Sequence, residues 1–276
     1  MAIKGVDISE HNGSVNFSTL KNNGVEFVII RLGYGSNYTN QDDKRFAENV
    51  KKAEAAGMPW GAYLYSYAKN TSMAKSEAEH ALRLLNGKTP LYGVWYDVED
   101  PQLSGVDVVA TSHTFCDAME NAGYYAGIYA SLSWLNGSLN SSKLDKYDKW
   151  VAQWNSSCTY KKAYGIWQYT DKLVIGGKNF DGNRAYKDYP SIIKAMNGET
   201  EEEDEEMLTY DQWKDYMERY EQEKAKEKVS SWAKDAVEFV QKEGLMNGDA
   251  DGSFRPQSFI TRQEVAAVLK NEREKE

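Results

Sequence analysis

The stretch GVWYDVED, Gly93 to Asp100, decides how the chain folds. Its apolar run, Val94 to Tyr96, fills with acid at the far end, at Asp97, Glu99 and Asp100. A run of this kind reads as a buried strand whose last residues reach a rim. Burying a carboxylate is expensive unless it is paired or used. Alternate side chains of a strand share a face, so Asp97 and Glu99 are expected to point the same way with Val98 opposite, their Cβ atoms about 6.5 Å apart.

Working outward, the same strand signal recurs in IKGVDIS, VEFVIIRLGYG, PWGAYLYSY, GYYAGIYAS, KWVAQW, YGIWQYT and, more weakly, FDGNRAY. Amphipathic helical patterns separate the early ones: NFSTLKNNG, QDDKRFAENVKKAEAAG, TSMAKSEAEHALRLLNG and VVATSHTFCDAMENAG. Three of these end on a glycine suited to a helix C-cap, Gly24, Gly57 and Gly123, each soon followed by a strand. Strand, helix, strand in that rhythm predicts parallel βα units and an α/β fold. A full parallel barrel takes about 250 residues, and fewer are available before the chain changes character. The expectation is an incomplete (β/α) barrel with full units first and bare strands last; a doubly wound open sheet is the alternative.

The change of character comes at ETEEEDEE, Glu199 to Glu206, a solvated acidic run read as a linker. The predicted organisation is a barrel over residues 1–198, a linker over 199–207 and a small all-α module over 208–276. In the module, Tyr210, Trp213, Met217 and Tyr220 form an apolar helical stripe. That stripe must bury against the second domain, the barrel or another copy of the chain. Two further helices follow: Trp232, Ala236, Phe239 and Val240 share one face of the first, and Val265, Val268 and Leu269 one face of the second. Thr261 with Glu264 three residues on predicts a capping box.

Composition excludes several classes. The net charge of −9 comes mostly from the acidic run, and no basic footprint for nucleic acid exists elsewhere. Cys116 and Cys158 are too few for a disulfide scaffold and fit no metal-ligand spacing. No apolar run spans a bilayer. The amino terminus, MAIKGVDISEHNG, lacks the pattern of a secretory signal, so synthesis in a cytoplasm is expected. The 8 Trp and 19 Tyr suit a sugar-binding cleft, although core packing is their commoner use.

Asp7 ends the first strand pattern, and Asp181 lies in the last. With Asp97 and Glu99 they would bring four carboxylates from three strands to the rim where parallel barrels carry their active sites. Crowded carboxylates raise at least one pKa. Glycoside hydrolysis needs that arrangement, a protonated acid for the leaving oxygen and an ionised partner for the developing positive charge. Helix caps or rim salt bridges are the bland alternative. No nucleophile elbow supports a Ser/His/Asp triad. His80 and His113 fall in helical patterns as surface or core residues, leaving His11 near a strand end. No cofactor is expected; a metal site built on these acids would favour Mg or Ca.

GVDISEHNG, WYDVED, IWQYT and FDGN, in this order and spacing, resemble the signature segments of the glycoside hydrolase family 25 lysozymes over Met1 to about Gly198. The resemblance implies a β-1,4-N-acetylmuramidase acting on peptidoglycan, on a flattened barrel of five βα units and three further strands. It places the general acid on Glu99, its paired aspartate on Asp97 and the flanking acids on Asp7 and Asp181. It also implies substrate contacts at Tyr34, Tyr65, Tyr129, Trp154 and Gln168. The family's mechanism is net retention, with a covalent enzyme intermediate or the substrate acetamide as the nucleophile.

WAKDAVEFVQKEGLMNGDADGSFRPQSFITRQE resembles a single S-layer homology motif, which implies binding of a secondary cell-wall polymer with Arg262 as a contact, or assembly with other chains since such motifs act in threes. NGDADGSFRPQS fails as a calcium loop, with Ser258 at the position of the bidentate Glu. Three functions follow as expectations: a phage or prophage endolysin made in the bacterial host cytoplasm and acting on the wall, a catalytically silent wall-binding protein, or a chitinase-like glycosidase.

Overall fold

The computed structural model describes residues 2–198, 210–249 and 253–274. The expected linker over 199–207 lies outside the described residues, as do Asp251 and Gly252 of the calcium-like loop. By contact density the chain divides into two units, Met1–Glu201 and Glu202–Glu276.

In the first unit the strands close into one barrel in sequence order: β1 (Ile3–Ile8), β2 (Phe27–Tyr34), β3 (Trp60–Tyr65), β4 (Val94–Asp97), β5 (Ala126–Ser131), β6 (Asp148–Ala152), β7 (Ile166–Ile175) and β8 (Lys178–Ala185). Neighbours from β1 to β7 pair parallel, whereas β8 runs antiparallel to both β7 and β1. Helices α1 (Phe17–Asn22), α2 (Phe46–Ala55), α3 (Thr71–Leu85), α4 (Val108–Asn121) and α5 (Leu132–Asn136) follow the first five strands. No α-helix follows β6 or β7, and α6 (Tyr189–Met196) comes after β8. The incompleteness thus lies in the helical layer. The sheet itself closes because the β7–β8 hairpin turns back and zips onto β1 from Ile3 to Asp7, which excludes the doubly wound alternative.

Two cores result from the two-residue period of the strands. Outward-facing Val6, Ile8, Val28, Ile30 and Leu32 pack with Phe46, Val50 and Ala53 of α2 and their counterparts on the other helices. Inward-facing Phe27, Ile29, Trp95 and Trp150 fill the barrel, joined by Tyr92 and Tyr189. The rings interlock, Phe27 stacked on Tyr92 at 4.1 Å and Trp95 edge-on to Trp150 at 5.9 Å. Room for them comes from missing side chains: a Cβ on Gly5 or Gly127 would lie 2.3 Å from the Phe27 or Trp95 ring. This aromatic plug seals the lower barrel and leaves the layer above it to polar residues.

β4 stops at Asp97, so Glu99 lies just beyond the strand instead of inside it. Asp181 departs from expectation in another way. It reaches the rim not as the carboxyl end of a parallel strand but because antiparallel β8 brings its early residues there, directly opposite Asp7 in register.

The second unit contains α7 (Tyr210–Ala225), α8 (Lys234–Lys242) and α9 (Arg262–Arg273). The predicted capping box is present, Thr261 N–H donating to Glu264 Oε2 at 2.6 Å and Glu264 N–H to Thr261 Oγ1 at 3.2 Å. Several apolar side chains of these helices are exposed, while Met217, Val240 and Val268 are half-buried. Trp232 is 87 % exposed, and Tyr210, Trp213, Phe239 and Leu269 are exposed as well. Neither α8 nor α9 contains a buried residue.

Candidate active site

The inward positions above the aromatic plug line a cavity of about 700 Å³ at the carboxyl ends of the parallel strands. Asp7, Asp97, Glu99 and Asp181 all face it, together with Tyr34, Tyr65, Tyr129 and Gln168. Trp154 stands apart from that lining, 62 % exposed, but its indole N–H donates to Gln168 Oε1 at 3.2 Å.

Each acid has a different environment. Asp97 is 3 % exposed, and its Oδ1 is buried without a hydrogen-bond partner. Burial, then the charges of Glu99 and Asp7, push its pKa well above the usual carboxylate range. Glu99 is half-buried and also raised, chiefly by burial, while the Tyr129 hydroxyl beside it works the other way. Asp7 Oδ2 accepts from Asn183 Nδ2 at 2.7 Å and Gln168 Nε2 at 2.9 Å. Burial and the facing Asp181 nevertheless raise Asp7 well above its ordinary value. Asp181 is raised by burial and lowered by its hydrogen bond with Asp7. Asp100, next to Glu99 in the chain, is engaged structurally: its carboxylate accepts from the Gln102 N–H at 2.8 Å and the Tyr65 hydroxyl at 3.2 Å.

The strand alternation that buries the acids also brings in residues that the sequence reasoning missed. Tyr63 shares the inner face of β3 with Tyr65, and Trp150 faces in from β6, donating its indole N–H to Asn183 Oδ1 at 2.7 Å. Asn183 thereby holds Asp7 against a fixed ring. Arg31, buried in β2, donates to Asp43 Oδ2 at 2.9 Å and Glu10 Oε1 at 3.1 Å, and its guanidinium sits 5.8 Å from the Tyr34 ring. A charge inside the apolar run FVIIRLGY is a visible signal for Arg31. Tyr63 and Trp150 carry none, because an aromatic residue on an inner face looks the same whether it packs or lines a cleft.

The histidines sort as their positions suggested. His80 is buried between the Gly35 carbonyl at 3.0 Å and Asp42 Oδ1 at 2.8 Å, and His11 lines the cavity. Cys116 is buried and Cys158 half-buried, both as free thiols. Among the described residues, no group of three His, Cys, Asp or Glu side chains could hold a metal ion, and no helix is long and apolar enough to cross a membrane. Arg262 lies exposed in the first turn of α9.

Residues 6–178 match glycosyl hydrolases family 25. The chain belongs to that family. Residues 226–266 match the S-layer homology domain. The autolytic lysozyme of Clostridium acetobutylicum is 30 % identical over 177 residues, covering 63 % of this chain and 52 % of that protein. The match therefore spans about half of that relative's length. Among solved structures, the family 25 member's barrel is similar to the autolysin LytC of Streptococcus pneumoniae in complex with a synthetic peptidoglycan ligand, at 31 % identity and a TM-score of 0.60 over 67 % of this chain and 47 % of the other. It is also similar to the catalytic domain of endolysin ply40 from a Listeria monocytogenes bacteriophage, at 29 % identity and a TM-score of 0.60 over 70 % and 98 %.

Proposed function

We propose that this cavity hydrolyses the β-1,4 bond between N-acetylmuramic acid and N-acetylglucosamine in peptidoglycan. The observation that carries the proposal is Asp97 Oδ1, a buried acceptor with no partner beside a second carboxyl in an open cleft. An orphaned acceptor of this kind costs about 1–3 kcal/mol, and the amide N–H of an N-acetylated sugar would satisfy it. The charge of Glu99 is one of the causes that raise Asp97, so the two acids resist ionising together. Once an N–H supports the Asp97 carboxylate, Glu99, nearer the open cleft, is the one that keeps its proton.

The chemistry follows from those places. Glu99 gives its proton to the glycosidic oxygen as the C1–O bond breaks. The acetamide oxygen closes onto C1, and Asp97 stabilises the positive charge that forms on the acetamide nitrogen. Water then attacks C1 as the C1–O bond to the acetamide oxygen breaks, and passes a proton back to Glu99, so the product retains its configuration. Asp7 and Asp181 shape the field behind C1, and Tyr34, Tyr65 and Tyr129 form the walls that grip the sugar rings. Digestion of purified walls followed by identification of the new reducing ends tests the reading. Reducing muramic acid supports it; reducing glucosamine, or no release, contradicts it.

For the second unit we propose self-association combined with wall-polymer binding through Arg262. Helices that bury no residue within their own unit gain stability by covering Trp232, Phe239 and Leu269 with another copy. A phage or prophage endolysin is the biological setting we favour, on the likeness to ply40. In that setting the enzyme is made in the host cytoplasm and meets its substrate at lysis.

A further inference from the structure

Gln168 and Trp154 both fit the description of sugar contacts, yet the Gln168 amide is already engaged by protein. Its side chain sits on β7, 3 % exposed and directly opposite Asn183 in register. Its Oε1 accepts from the Tyr129 hydroxyl at 3.1 Å and from the Trp154 indole at 3.2 Å, and its Nε2 donates to Asp7 Oδ2 at 2.9 Å. A carbonyl oxygen offers two lone pairs, and both are occupied.

The orientation of that amide has a definite cause. An indole N–H donates only, so Trp154 demands the oxygen end of Gln168. A hydroxyl such as Tyr129 accepts either end. Asp7, an acceptor at Oδ2, takes the N–H end. Trp154 and Asp7 therefore select the same orientation of the amide from opposite ends, and without the indole N–H its oxygen loses the one partner that cannot accept the N–H end.

We propose that Trp154 and Gln168 are positioning residues: the Trp154 indole N–H locks the Gln168 amide so that its own N–H supports Asp7 and its oxygen holds Tyr129 in place beside Glu99. The groups facing Asp7 are Asp181 from β8, Asp97 and Glu99 from the end of β4, Tyr63 from β3, Tyr129 from β5 and Arg31 from β2. Asp7 thus balances several acids against few donors, and losing one donor changes how the cluster holds its protons. The sign is fixed: a carboxylate deprived of an N–H donor binds its proton more tightly.

The proposal rests on the muramidase reading for its kinetic arm only. Trp154→Phe keeps an aromatic platform but removes the N–H, and Gln168→Leu removes the amide itself. Both should lower kcat on peptidoglycan about tenfold, the effect of one lost hydrogen bond to a charged group, with KM changed less than about twofold. Both should displace the pH–rate profile upward. In parallel, carbon-13 titration of the Asp7 carboxyl should move upward in either variant, and the double variant should cost no more than Gln168→Leu alone. A raised KM with an unmoved pH profile and an unmoved Asp7 titration would overturn the proposal and leave both residues as sugar contacts. Should the wild-type chain release no reducing muramic acid, the muramidase reading fails, and the Asp7 titration still decides the positioning roles. Because Trp154 is exposed, Trp154→Phe keeps the test open even where Gln168→Leu folds poorly.

Discussion

At the scale of single residues, Asp97 and Glu99 are both needed for activity but differ in their consequence for stability. Glu99→Gln should lower wall hydrolysis at least about a hundredfold, the usual contribution of a general acid, with near-ultraviolet circular dichroism unchanged. Asp97→Asn should also lose activity but gain stability at neutral pH. Asp97 has a folded-state pKa raised by burial and by Glu99, so its stabilising contribution is full below the carboxylate range and is lost as pH rises through the folded pKa. The Asn variant lacks that loss. Its Tm should exceed the parent's at pH 7, by about 2–4 °C for each kcal/mol recovered, and the difference should vanish in acid. A Tm difference independent of pH would show that Asp97 is not the titrating group.

At the scale of elements, the site depends on what holds the loops after β3 and β4. Glu77 on α3 is fully buried, with Oε2 accepting from Ser66 Oγ at 2.9 Å and Tyr96 Oη at 2.5 Å and Oε1 from the Tyr67 N–H at 2.8 Å. It ties the β3 loop, with cavity-lining Tyr65 and Tyr67, to β4. Glu77→Ala should destabilise the barrel by about 3 kcal/mol in urea unfolding and loosen the tyrosine wall; no loss would make the network incidental. The sequence carried much of this architecture. Continuous apolar runs ending in acid gave the parallel strands and the rim, because fully buried strands have few other ways to end. It concealed Tyr63, Trp150 and Asn183, since inward residues look alike in a barrel whose lower layer is packed and whose upper layer is open. It also concealed the closure by β8, because antiparallel pairing with β1 joins residues at opposite ends of the unit, and Asp181 was placed at the rim for the wrong geometric reason.

At the scale of the whole molecule, a barrel with its own sealed core is followed by helices α8 and α9, in which no described residue is fully buried. Sedimentation of the full chain against one ending at Gly198 should show the shorter form as a monomer and the full chain as an oligomer, through residues 208–276. Two monomers would refute self-association, and loss of wall binding by Arg262→Ala without a change in mass would separate polymer contact from assembly. The central claim, a muramidase working through Glu99 and Asp97, is tested most directly by digesting purified cell walls with the wild-type chain and with Glu99→Gln and identifying the reducing sugar after borohydride reduction. Muramitol is expected from the wild type and none from the variant. Glucosaminitol from the wild type, or muramitol from both proteins at equal rates, would contradict it.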